Sequence, residues 1–149
     1  MTVKDALYAY CLGNVLQRLA RIKDEIANIQ ASANNETKSS AGDKYETGRA
    51  MAQLEVEGSM HQLRDAEKSL AILKNIEAAK VDNMVLPGSL VATSQGIYYI
   101  AISLGLVTHE GKPYFIVSPD SPIGKLLLGK QTGNSVFWKE KEYIIQSIT

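Results

Sequence analysis

Asp43 and Glu46 stand three residues apart at the start of a helical pattern, a spacing that puts two carboxylates on one helical face. Carboxylate oxygens are hard donors of the kind Mg²⁺ takes while keeping several of its own waters, so one or two of them can recruit or steady an ion already touching phosphate. The same Asp-x-x-Glu pattern also serves as a capping box, in which Asp43 accepts a backbone N–H and Glu46 reaches back. Both readings stay open on the residues alone. Glu36 adds a third carboxylate where the preceding segment folds back.

Other reactive residue types stand apart. His61 and His109 have no second His or Cys at ligand spacing and read as surface residues. Cys11 lies beside the apolar position Leu12, without a neighbouring base or a Cys-x-x-Cys partner, so it reads as packing rather than as a nucleophile. Asn35-Glu36-Thr37 matches a glycosylation acceptor, but no secretory signal is expected and the match reads as chance. The sequence has no Gly-rich phosphate loop and no Gly-x-Ser-x-Gly elbow, which removes support for self-contained nucleotide hydrolysis and serine-hydrolase chemistry.

The chain has 149 residues and 45% hydrophobic content, enough for one ordinary domain or two small ones. Sixteen basic and sixteen acidic residues cancel, so no overall positive field draws it to DNA or an anionic membrane. A single cysteine forms no intramolecular disulfide, and Met1 to Asp5 opens directly into charged helical pattern. A cytoplasmic protein is expected. The longest apolar neighbourhood, Ile97 to Val107, is broken by Ser103 and Gly105 and falls short of a membrane span.

Two halves must position the carboxylates. In the first, Leu12, Val15, Leu19, Ile22, Ile26, Ile29 and Ala33 follow the alternating three-and-four spacing of a coiled coil, and Thr2 with Asp5 makes a capped start. Asn34 to Gly42 lacks an apolar period and is rich in turn formers, so the first helix is expected to stop there. A second, less regular seam runs through Val56, Ser59, Leu63, Ala66, Leu70 and Leu73, flanked by Met51, Leu54, Met60, Ile72 and Ile76. Two such helices fold back most simply into an antiparallel hairpin over residues 1–80, with its tip near 34–46. This buries both stripes within one chain, and a monomer is expected; pairing between chains is the alternative. Helices of roughly 30 residues would make a rod on the order of 45 Å long.

All four prolines fall in the second half, with short β-rich runs at residues 89–94, 97–102, 114–118, 135–138 and 143–148. His109 to Pro113 and Lys139 to Lys141 read as hairpin connections. Pro122 to Leu128 reads as a short helix capped by Ser121 and ended by Gly129. The expected class is α+β, with a small antiparallel sheet holding one helix over residues 85–149. Tyr98 and Tyr99 must point to opposite faces if they lie in one strand, as must Phe137 and Trp138, which leaves room for about half of these rings to be exposed. The aromatics are read mainly as core.

Ser121-Pro122-Ile123-Gly124-Lys125-Leu126-Leu127-Leu128-Gly129-Lys130, followed by Gly133, Val136 and Tyr143 to Ile148, resembles the C-terminal domain of bacterial Gre-type transcription elongation factors. That family also carries a long antiparallel helical hairpin ahead of this domain, so the resemblance covers essentially the whole chain. It implies an FKBP-like domain that docks on the rim of the secondary channel of RNA polymerase, with Ser121, Pro122, Ile123 and Lys125 as partner-binding residues. It also implies a hairpin inserted toward the active centre.

In cleavage-competent members an Asp-x-x-Glu pair at the tip helps hold Mg²⁺ and a water, so that the polymerase hydrolyses its own backtracked RNA. Gly42-Asp43-Lys44-Tyr45-Glu46 matches that tip. The resemblance makes Asp43 and Glu46 assisting catalytic and metal residues, with Mg²⁺ shared only in the polymerase complex and no cofactor bound by the chain alone. The nascent RNA 3′ end would be met only there, and the chain would be no enzyme by itself. After Glu46 the sequence reads Thr47-Gly48-Arg49-Ala50 where the family has Asn-Ala-Glu-Tyr, and Lys38, Lys44 and Arg49 bring positive charge near. The alternatives are a non-cleaving regulator of the same channel, a coiled-coil scaffold without a polymerase role, and a prolyl isomerase with a helical arm.

Overall fold

The computed structural model describes the backbone of residues 2–39, 43–78 and 83–149, and the side chains of 2–34, 47–76 and 83–149. Its elements are α1 (Val3–Ser39), α2 (Asp43–Ala78), β1 (Leu90–Thr93), β2 (Gly96–Ile100), β3 (Gly105–His109), β4 (Lys112–Val117), α3 (Pro122–Leu127), β5 (Ser135–Trp138) and β6 (Lys141–Ile148). The class is α+β: two long helices, then a mixed six-stranded sheet with one short helix. Among the described residues no helix is long and apolar enough to cross a membrane.

A reciprocal capping box starts α1. The Thr2 backbone N–H donates to Asp5 Oδ2 at 3.0 Å, and the Asp5 N–H donates to Thr2 Oγ1 at 3.1 Å. The expected end of the helix is overturned, because α1 runs through Asn34 and on to Ser39. Turn formers lower helix propensity by only tenths of a kcal/mol each, whereas extending a formed helix gains one backbone hydrogen bond per residue. The apolar stripe is close to expectation, with Val15, Leu19 and Ile22 buried in α1 and Ser59, Ala66 and Leu73 in α2. Nearer the chain start the stripe passes through Leu7 and Cys11, both buried, while Leu12 is half-buried. Spacings of four overshoot the 3.6-residue period, so this part of the stripe departs from the alternating threes and fours of a coiled coil.

The chain divides into two compact units, one of residues 14–70 and the other of residues 1–13 together with 71–149. The first is the two helices alone. The second is the sheet with its short helix, and it takes in the beginning of α1 and the end of α2.

The strand order is β3-β4-β2-β1-β6-β5. The expected all-antiparallel sheet is corrected, since β2 and β4 pair in parallel, with Tyr98 opposite Phe115 and Ile100 opposite Val117. The other four pairings are antiparallel. The parallel pair arises because β3, a strand the sequence reading lacks, goes to the sheet edge and its hairpin partner β4 returns inside. β4 contributes the buried Tyr114 and Ile116, whereas Leu106 of β3 is exposed, so the inner place falls to the strand with more to bury.

Both faces of the central strands are covered, so Tyr98 and Tyr99 are both buried although they point to opposite faces. On one face Val91, Tyr98, Ile100, Tyr143 and Ile145 pack with Ile123 and Leu127 of α3 and with Val85. Tyr98 stacks on Phe115 at 5.1 Å and meets Tyr143 edge-on at 6.1 Å. On the opposite face Tyr99 lies near Tyr8 and Cys11 of α1, and both its neighbourhood and its 1% exposure mark a second core. Phe137 remains outside, at 69% exposure.

The segment between α2 and β1 is stitched into this unit. The Val85 N–H donates to the Lys130 carbonyl at 2.8 Å, the Gly129 N–H donates to the Val85 carbonyl at 2.8 Å, and Val85 itself is fully buried. Gly88, with φ of 94°, presses on Ile76: a Cβ there would stand 2.7 Å from Ile76 Cγ2.

Candidate functional site

Asp43 is the first residue of α2 and Glu46 lies in the same opening turn. Their backbone therefore follows the i, i+3 relation that puts both residues on one helical face. Their side chains, with those of Glu36, Lys38 and Lys44, lie outside the described residues. At the start of α1 the same spacing makes a capping box, formed by Thr2 and Asp5. There the Thr2 hydrogen bonds hold the Asp5 carboxyl below the usual carboxylate range.

Next along the helices lies a groove that the sequence reading did not single out. Asn28, Ile29, Ser32 and Ala33 of α1 face Gly48, Met51, Ala52 and Glu55 of α2 around an open cavity of about 360 Å³. Its cause is side-chain size. At Ile22 the stripe is closed, at 1% exposure, but farther along Ser32, Ala33, Gly48 and Ala52 supply too little volume to fill the space between two helices. The signal in the sequence was the small size of Ser32, Ala33, Gly48 and Ala52, of which Ala33 alone is a seam position.

The Ser121–Lys125 segment lies in the sheet-containing unit. Ser121 is the N-cap of α3: its Oγ accepts the Gly124 N–H at 3.0 Å and donates to the Ser118 carbonyl at 2.7 Å. Pro122 opens the helix, where its missing N–H costs nothing. Ile123 is 3% exposed and belongs to the core, so of the four residues only Pro122 and Lys125 are exposed and Ser121 is half-buried. The motif thus builds and anchors a short helix, leaving a small outer surface.

Asp43 and Glu46 belong to the start of α2, and Ser121 to Lys125 belong to α3. Cys11 is fully buried, and burial pushes its thiol up to about 12, the opposite of an activated nucleophile. His61 is exposed, and His109 is tilted against Tyr114 with ring centroids 6.5 Å apart. Among the described residues no three His, Cys, Asp or Glu side chains come together as a metal site. Nor, among them, does any buried side-chain polar atom lack a hydrogen-bond partner.

Compared with models of known protein families, the chain matches none. Compared with curated proteins, it likewise finds no match.

Proposed function

We propose that this chain is a Gre-like transcription factor that binds RNA polymerase, with α1 and α2 as a coiled-coil hairpin inserted into the secondary channel and the sheet-containing part as an FKBP-like docking domain. The observation that carries the reading is the succession of two helices of 37 and 36 residues with only residues 40–42 between them, followed by an α+β body whose short helix is capped by Ser121 and opened by Pro122. Helices of that length exceed what burial of so narrow an apolar stripe requires.

In this reading Asp43 and Glu46 meet the polymerase active centre. They add two carboxylates to a Mg²⁺ that the polymerase and the RNA already hold, and the polymerase supplies the remaining ligands and the substrate grip. The chain assists hydrolysis of backtracked RNA and is no enzyme alone. Pro122 and Lys125, exposed beside the capped turn, contact the polymerase rim. A second reading is favoured by Arg49 and by Gly48, which lines the small-residue groove: a hairpin that occupies the channel without promoting cleavage.

The test is a gel of transcripts in stalled, backtracked complexes of the cognate polymerase, with wild-type chain and with Asp43→Ala/Glu46→Ala. Shortening by wild type and none by a double variant that still binds supports assisted cleavage. Intact RNA with retained binding leaves the channel-occupying reading.

A further inference from the structure

Strand β5 ends the sheet, so Ser135–Trp138 has β6 on one side and, among the described residues, no strand on the other. Edges of this kind are ordinarily guarded by a charge, a proline or a bulge. β5 reads Ser-Val-Phe-Trp, has none of these, and keeps an unbroken register with β6 from Ser135 opposite Ile144 to Trp138 opposite Lys141. Phe137 and Ile144 share one face of this hairpin, at 69% and 42% exposure, although the same face of the central strands is buried. Lys139 and Glu140 turn the hairpin with φ of 51° and 64°, and the Lys139 ammonium lies 4.6 Å from the centre of the Trp138 ring.

We propose that β5 pairs antiparallel with β5 of a second copy of this chain, about a two-fold axis through Phe137, so that two six-stranded sheets join into one. The strand is self-complementary in this register. Phe137 falls opposite Phe137 of the other copy on one face, an aromatic pair of the kind that favours strand association; on the other face Val136, already buried in its own core, falls opposite the half-buried Trp138. An axis between residues would set Val136 against Phe137, whose side chains leave opposite faces.

Charge also permits the pairing. Lys139 falls opposite Ser135, no like charges meet directly, and a formal net charge of zero gives the copies no long-range repulsion. The other sheet edge, β3, is a poorer candidate. Its one large exposed apolar side chain is Leu106, and no aromatic residue other than His109 lies on it.

One strand pair buries less than the roughly 1,200 Å² of a stable interface, so the dimer is weak and forms at high concentration. This proposal is independent of the polymerase reading. Trp138, the only tryptophan, reports on it directly.

The test is sedimentation equilibrium of the full chain from about 10 µM to 1 mM, with Trp138 emission followed over the same range. For wild type the weight-average mass is expected to rise from 16.3 kDa toward twice that value, with a blue shift of Trp138 emission. Phe137→Lys, at an exposed position, is expected to keep the wild-type circular dichroism and to remain at the monomer mass throughout. Leu106→Lys, on the other edge, is expected to associate as wild type does. A wild type that stays monomeric at 1 mM overturns the proposal. So does association that survives Phe137→Lys, is lost in Leu106→Lys, or leaves Trp138 emission unchanged.

Discussion

The Tyr8 hydroxyl donates to the Leu73 carbonyl at 3.0 Å, joining the first turns of α1 to the last turns of α2 across 65 residues of sequence. Tyr8 and Cys11 of α1 are near enough to act electrostatically on Tyr99, which is buried at the centre of the sheet. Removal of the hydroxyl in Tyr8→Phe keeps the ring, and the Leu73 carbonyl keeps its place in the helical ladder. A loss of about 1 kcal/mol in unfolding free energy is expected, read from urea denaturation.

Gly124 sits under the loop that precedes α3. A Cβ there would collide with the Ser118 carbonyl oxygen and stand 2.8 Å from Ser121 Oγ, the two atoms that hold the cap together. Gly124→Ala, ordinarily a helix-favouring change, is therefore expected to destabilise by roughly 2–3 kcal/mol. Thermal unfolding followed by circular dichroism measures it, and an unchanged or raised melting temperature contradicts it.

Burial pushes the Cys11 thiol up to about 12 from an ordinary value of 9.0. The folded chain therefore holds this proton in a range where the unfolded chain has released it, and stability falls as pH rises from about 9 toward 12. Cys11→Ala removes the contribution, so its urea midpoint is expected to fall less steeply than that of wild type between pH 9 and 11. Native Cys11 is also expected to resist alkylation at pH 8 until the chain is unfolded.

Glu140 holds φ of 64° in the two-residue turn between β5 and β6, a conformation that disfavours side chains other than Gly, Asn and Asp. Glu140→Gly is expected to stabilise by about 1 kcal/mol. Lys139→Gly relieves similar strain but gives up the contact with Trp138, so its gain is expected to be smaller. Parallel urea titrations of the two variants decide the order.

Local rules made much of this fold legible in the sequence. Thr2 with Asp5, Ser121 with Pro122, and the stripe from Val15 to Ile22 each depend on neighbours within one turn or one helix face. What escaped depends on competition between distant segments. Whether β3 or β4 takes the inner place is decided by the apolar content of Tyr114 and Ile116 against that of β3, a comparison that no local pattern states. Tyr98 and Tyr99 alternate as strand residues must, but both are buried because helix ends brought from far along the chain cover the second face. The paired carboxylates were legible as a spacing, whereas the groove beside them came from the absence of bulk at Ser32, Ala33, Gly48 and Ala52.

Binding to RNA polymerase underlies both the cleaving and the non-cleaving readings, so it is the most direct measurement. Native mass spectrometry of the cognate core polymerase mixed with the full chain is expected to show one added copy of 16.3 kDa, reduced by Pro122→Glu/Lys125→Glu at exposed positions of α3. A folded chain that adds no mass to the polymerase at micromolar concentration would contradict the account.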